Sequence, residues 1–151
     1  MNMLAHFTEN LEKNKLTIRK ANISEWRLIV DFFDRHLHNL YHDPGFVSSG
    51  LIRDKIQRRN VWVAENDGEI VAIAISNNHT LWNLVVHKKF RFQKIGSVLL
   101  KHINPKCVRI KYKGGFPDPT SFYVKNGYKP VRLVPSKVTK RKTILLAVKD
   151  C

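Results

Sequence analysis

The sequence predicts a single α/β (α+β) domain with a mixed, mostly antiparallel sheet flanked by helices. Three observations carry that expectation. Short apolar or alternating runs of strand character recur along the chain. Segments with apolar residues three and four apart lie between them. Three of the strand-like runs follow one another with no helix between, which breaks the regular βαβα alternation of a doubly wound dinucleotide fold.

Residues 1–15 are mixed polar and form an N-terminal leader, so the domain spans 16–151. Leu16 to Lys20 alternates apolar and basic residues and predicts a strand. Asn22 or Ser24 caps a helix whose apolar face holds Trp26, Ile29, Val30, Phe33, Leu37 and Leu40. A break at Tyr41-His-Asp-Pro-Gly precedes a second helix from Ser48 or Ser49. Val61 to Glu65 and Glu69 to Ser76 predict a hairpin around Asn66-Asp67-Gly68, since that turn needs positive φ. Thr80 to His87 makes a third strand. A basic loop from Lys88 leads to a helix from about Gly96 to Ile103, stopped at Asn104-Pro105. Cys107 to Lys113 is a further strand, and Thr120 to Lys125 a short helix closed by Asn126-Gly127. Tyr128 to Val134 and Thr143 to Val148 complete the sheet as a last hairpin.

Charge divides the chain. The total is +15, from 27 basic and 12 acidic residues. Met1 to Ile75 holds 10 of each, so the remaining 17 basic and 2 acidic residues all lie from Ser76 onward. Such asymmetry points to an anionic partner for the second half. No apolar run approaches the ~18 to 20 residues of a membrane helix, and the first 15 residues lack a signal-peptide core. Cys107 and Cys151 have no metal or CxxC spacing, so a reduced, cytoplasmic protein is expected. His38 and His42 sit four apart with His36 nearby, a spacing that equally suits a solvated helix end; no metal is expected.

Val85 to Leu100 is the most informative stretch. An apolar strand feeds a basic loop, and the loop opens a helix at a glycine. A helix N-terminus offers free N–H groups and a positive dipole end, and glycine lets phosphate oxygens approach. A phosphate site and a solvated basic loop before a Gly-started helix both fit this pattern.

Arg91-Phe92-Gln93-Lys94-Ile95-Gly96, after Leu84-Val85-Val86-His87, resembles the signature of the GCN5-related N-acetyltransferase (GNAT) superfamily, Arg/Gln-x-x-Gly-x-Gly/Ala after an LxVxP strand end. Phe122-Tyr123-Val124-Lys125-Asn126-Gly127-Tyr128 is similar to its FYxxxGF segment. The resemblance covers roughly Leu16 to Val148. It implies that Arg91, Phe92, Gln93, Lys94, Ile95, Gly96 and Ser97 hold the pyrophosphate of acetyl-CoA, mainly through backbone amides. It further implies that Leu84, Val85 and Val86 line its pantetheine arm and that Tyr123 protonates the leaving thiolate. Lys94 departs from the pattern, because the family usually has a glycine there. Phe116 and Pro119 stand where the family often has Asn and Ala.

Acyl transfer to an amine needs a neutral amine, stabilisation of the carbonyl oxygen and protonation of the thiolate. The Val86 N–H, or one beside it, suits the second task and Tyr123 the third. For a general base the family commonly uses a carboxylate on the central strand, and Thr80 to His87 has none. His79, Glu65 and Asp118 are the candidates, beside water or no dedicated base. His79 equally reads as a polar turn residue.

The basic second half bears on the acceptor. Lys106, Arg109, Lys111 and Lys113 recur along one strand, and Lys137, Lys140, Arg141 and Lys142 cluster in the last connector. Tyr112, Phe116, Phe122 and Tyr128 are interleaved with them, a pattern suited to DNA or RNA contacts and equally to an idle basic surface. The expectation is an acetyl-CoA-dependent N-acyltransferase acting on an amine, with an anionic acceptor favoured. A GNAT-fold enzyme modifying DNA or RNA, and a non-enzymatic nucleic-acid-binding module on the same fold, are the alternatives.

Overall fold

A computed structural model describes residues 16–36, 49–91, 93–111, 119–134 and 144–149. The strands are β1 (Thr17–Lys20), β2 (Val61–Asn66), β3 (Glu69–Ser76), β4 (Thr80–Val86), β5 (Cys107–Lys111), β6 (Tyr128–Val134) and β7 (Ile144–Lys149). The helices are α1 (Trp26–His36), α2 (Ser49–Gln57), α3 (Ile95–Ile103) and α4 (Thr120–Lys125). The sheet runs β1-β2-β3-β4-β5-β7-β6, and every neighbouring pair is antiparallel except β4–β5. The α/β reading of the sequence holds, with a mixed, mostly antiparallel sheet between helices.

Local chemistry explains the elements. A 3-10 turn over Ile23–Glu25 leads into α1, and the Glu25 carboxylate accepts the Asn22 N–H at 2.8 Å. Asn22, not Ser24, is therefore the cap. The β2–β3 turn places Asp67 at φ 54° and Gly68 at φ 75°, the positive values a two-residue hairpin requires. Asn104 closes α3 in the left-handed region.

The two faces of the sheet carry separate cores. Ile29, Phe32 and Phe33 of α1 and Ile52 and Ile56 of α2 cover Val61, Val63, Ile73, Ile75 and Val85. Ile95, Leu99 and Leu100 of α3 and Tyr123 of α4 cover Ala64, Ala72, Ala74, Leu81, Val108 and Ile110 on the other face. Alanines at the β2–β3 centre let α3 lie close to the sheet. Phe33 is 1% exposed, so truncating it to Ala should cost about 3–5 kcal/mol through lost burial and the cavity left behind.

Candidate active site

β4 pairs with β3 from end to end, but with β5 only at Thr80↔Cys107 and Leu81↔Val108. The register with β3 slips at the same place. Ile75 faces Asn83 and Ser76 faces Leu81, so Trp82 is an extra, bulged residue. The bulge changes which face each side chain meets. Leu81 joins the α3/α4 core, Val85 joins the α1/α2 core, and Leu84 and Val86 pack on the α3/α4 side. Alternation puts Asn83 on the α1/α2 side with Val85. Beyond the bulge, no described strand pairs with the β5-side edge of β4. Apart from the Val86 carbonyl, which the Arg91 guanidinium holds, its backbone N–H and C=O groups there have no partner among the described strands.

The basic loop closes the end of this gap. Its first residue, His87, donates its N–H to the Val71 carbonyl, continuing the β3–β4 ladder. Lys88–Phe90 form a 3-10 turn. The Arg91 guanidinium donates to the carbonyls of Val86 (3.2 Å) and His36 (2.8 Å), tying the loop to the ends of β4 and α1. Lys94 caps α3 in the left-handed conformation at φ 63°, ψ 12°. The first intrahelical bond is Val98 N–H to Lys94 C=O, so the N–H groups of Ile95, Gly96 and Ser97 precede the ladder. Gln93 holds its buried Oε1 without a partner among the described residues. Phe92 lies outside the described residues.

Gly96 lies at the junction of three elements. A Cβ built on it would stand 3.2 Å from Phe122 Cζ and 3.5 Å from Val86 Cγ2. Its missing side chain therefore lets α3, α4 and the end of β4 meet. Beside it, Tyr123 is 8% exposed and meets Phe122 and Tyr128 edge-on. Burial pushes the Tyr123 phenol well above its ordinary range, so it keeps its proton at neutral pH. The Tyr128 hydroxyl donates to the Pro105 carbonyl and anchors β6.

A family model described as the acetyltransferase (GNAT) domain matches residues 57–130, from the end of α2 to the start of β6. The chain carries a GNAT domain. Solved structures agree on the fold. PaiA N-acetyltransferase from Thermoplasma acidophilum, in complex with coenzyme A, superposes with TM-score 0.65 at 18% identity, covering 90% of this chain and 99% of that one. The ribosomal-protein-alanine N-acetyltransferase of Brucella melitensis gives TM-score 0.66 at 16% identity, with 88% and 98% covered. The loading GNATL domain of CurA from Lyngbya majuscula gives 0.69 at 13%, with 91% and 98% covered. No curated protein sequence gives a match.

Within this GNAT domain the candidate bases are dispersed. Glu65 sits on β2, two strands from β4, where its carboxylate accepts from Arg19. Arg19 also grips Glu25 with two bonds of 2.8 and 2.7 Å, so Glu65 belongs to a three-residue ion network. His79 is exposed in the turn before β4, with Nδ1 2.9 Å from Thr80 Oγ1, at the end away from the basic loop. Asp118 lies outside the described residues. Tyr123 and the α3 N-terminus are thus brought together by Phe122 and Gly96, while Glu65 and His79 stand apart from them.

Two features went unread in the sequence. Asn83 is 7% exposed, inside β4 and next to the bulge. Its signal was a lone amide in the apolar run Thr80–Val86. The other is a stack of His36 on His87, with ring centroids 4.2 Å apart. His36 Nδ1 accepts the Lys88 N–H at 3.3 Å, and burial, then His87 and the cations Lys88, Arg91 and Arg35, push its pKa down to about 4. His87 is also lowered, chiefly by burial. This pairing joins residues 51 positions apart, which no local pattern reveals.

Among the basic residues, Lys106 and Arg132 are exposed and Arg109 is half-buried. Arg109 and Arg132 both align with Leu146, so they share one row across β5, β7 and β6. The side chain of Lys111 and all of Lys113, Lys137, Lys140, Arg141 and Lys142 lie outside the described residues, as do His38 and His42. Among the described residues no group of three or more His, Cys, Asp or Glu is placed to hold a metal. No described helix is long and apolar enough to cross a membrane.

Proposed function

We propose that the chain transfers an acetyl group from acetyl-CoA to an amine by direct attack. The observation that carries this reading is the parting of β4 from β5 at Leu81 and Val108, in a gap that ends on the N-terminus of α3. The half-open edge of β4 suits an extended pantetheine arm carrying amides. The N–H groups of Ile95, Gly96 and Ser97, with the positive end of the helix, suit its pyrophosphate. Gly96 lets Phe122 and Val86 close against the helix start that carries these N–H groups. Arg91 serves this site as a brace, since its guanidinium holds the carbonyls of Val86 and His36. Lys94, exposed beside the helix start, adds positive charge.

Each step has a candidate group. The Val86 N–H, or a neighbouring one on the free edge of β4, polarises the thioester carbonyl as its oxygen gains charge. The amine nitrogen bonds to the carbonyl carbon, the carbon–sulfur bond breaks, and the Tyr123 phenol gives its proton to the departing thiolate. Water or Asp118 takes the proton lost by the amine.

Titration calorimetry with acetyl-CoA, followed by thiol release with a mixture of amines, tests the reading. One-to-one binding abolished by Gly96→Asp supports it, and absence of any acetyl-CoA binding overturns it.

A second reading rests on the row formed by Arg109 and Arg132. An acceptor carried on DNA or RNA would pair its phosphates with this row and with Lys106, Lys111, Lys113, Lys137, Lys140, Arg141 and Lys142. Nucleic-acid binding should then weaken steeply with salt, and a flat response removes that reading.

A further inference from the structure

We propose that His36, the last residue of α1, is a positioning residue for the loop between β4 and α3. Its neutral imidazole, with that of His87, latches the loop in the form that takes acetyl-CoA. This rests on the acetyl-CoA reading above. α1 lies on the face of the sheet opposite α3, yet its last residue reaches the loop in several ways. The His36 Nδ1 accepts the Lys88 N–H at 3.3 Å. Its carbonyl accepts the Arg91 guanidinium at 2.8 Å. Its ring stacks on His87, with centroids 4.2 Å apart. His87 in turn takes the Lys89 N–H on its own Nδ1 at 3.1 Å, and Phe90 meets its ring edge-on. The backbone held in this way runs on into Lys94 and the first turn of α3. Its position therefore sets where the N–H groups of Ile95, Gly96 and Ser97 stand.

The latch needs both rings uncharged. An imidazole that accepts at Nδ1 is neutral and carries its hydrogen on Nε2. Protonation turns Nδ1 into a donor that faces another N–H, so the bond is lost. A helix C-terminus ordinarily welcomes a protonated histidine. Here the added charge would stand beside Lys88, Arg91 and Arg35, and burial with these cations and His87 holds His36 near 4. His87 is lowered chiefly by burial and by Lys89, Arg91 and Arg35, against the pull of Glu69 of β3 at 4.0 Å. A cavity beside the pair brings further charges near. On α1, Asp31 pairs with Arg35 at 3.0 Å. From the 3-10 turn and β2, Glu25 and Glu65 are both held by Arg19. α2 adds no described residue to this cavity. Glu69 would draw a protonated His87 away from Lys89. Released from the loop, either ring returns towards about 6.5. The open loop then binds more protons below that value, so acid opens the latch and neutral pH closes it.

Titration of acetyl-CoA into the full chain tests this with two variants. His36→Phe keeps a ring against His87 and the backbone carbonyl for Arg91, and removes the acceptor. His36→Asn puts an amide oxygen where Nδ1 stands and takes up no proton. At neutral pH His36→Phe should raise the acetyl-CoA Kd about threefold or more, through loss of one latch hydrogen bond. His36→Asn should restore most of the affinity. From about pH 7.5 to about pH 5, the wild-type Kd divided by the His36→Asn Kd should rise about threefold or more. That ratio cancels His87 and the ligand's own phosphates, which titrate in both. Hydrogen exchange at the Lys88 amide should quicken in His36→Phe and stay slow in His36→Asn. In the wild type, ring resonances should show His36 staying neutral to lower pH with acetyl-CoA bound, since coupling is reciprocal. The negative charge of the ligand alone would move the ring the other way.

Equal affinity of wild type and His36→Phe overturns the inference, as does a His36→Asn that binds no better than His36→Phe. So does a level ratio across pH, or a His36 ring that protonates more readily with ligand bound. The ring titration needs no variant and decides the matter even where a substitution unfolds the chain. A wild type that binds no acetyl-CoA removes the parent reading as well, which separates the two failures.

Discussion

Phe122 stands against Gly96 so closely that a Cβ on the glycine would lie 3.2 Å from the phenyl Cζ. This contact locks α4, which carries Tyr123, onto the first turn of α3. Gly96→Ala should force the ring aside and destabilise the fold by about 1 kcal/mol, the usual scale of mild overpacking. The double variant Gly96→Ala with Phe122→Leu should recover most of that loss. Urea unfolding of the two variants and of Phe122→Leu alone measures the coupling, and simple additivity would show that the contact carries no strain.

Lys94 occupies the left-handed region with a full side chain, which costs about 1 kcal/mol relative to glycine. Lys94→Gly should raise Tm by about 2–4 °C in a chain of this size. Lys94→Val, β-branched at a positive φ, should lower it. A thermal scan of the pair decides the matter; a fall with glycine would mean that the side chain supplies more than the backbone loses.

His36 ties stability to pH. Its folded pKa is near 4, pushed down by burial and by the neighbouring His87, Lys88, Arg91 and Arg35. Unfolded, it returns to about 6.5. Between these values the unfolded chain binds more protons, so stability from this residue is complete above pH 6.5 and is lost as pH falls towards 4. The expected loss is about 2–3 kcal/mol. Urea midpoints from pH 7.5 to 4.5 should show the slope, and His36→Phe should flatten it while removing the acceptor for the Lys88 N–H.

Tyr123→Phe keeps the ring that packs between Phe122 and Tyr128 and removes only the phenolic hydroxyl. Turnover should fall on the order of 100-fold, the scale of a lost general acid. Acetyl-CoA affinity and Tm should barely move. Equal losses in affinity and turnover would return Tyr123 to plain packing.

The order of elements was legible because each carries a local signal. Asp67-Gly68 announces its hairpin, the period of three and four in α1 places Ile29 and Phe33 inside, and Asn126-Gly127 closes α4. The start of α3 was legible too, from a basic loop ending on a glycine. What escaped was set by pairing across the sheet. The bulge at Trp82 depends on the register of β3 against β4, and it decides that Asn83 faces the α1/α2 side. The brace from Arg91 to the His36 carbonyl joins residues 55 positions apart. Glu65 looked available beside a strand end, but its partner Arg19 lies 46 residues away.

The central claim is that the gap beside β4 and the first turn of α3 together hold acetyl-CoA. Titrating acetyl-CoA into isotopically labelled protein and following backbone amide resonances tests it most directly. The account predicts the largest shifts at Ile95, Gly96 and Ser97 and along Leu84 to Val86, with Tyr123 following. Shifts confined to other parts of the chain, or none at saturating acetyl-CoA, would contradict it.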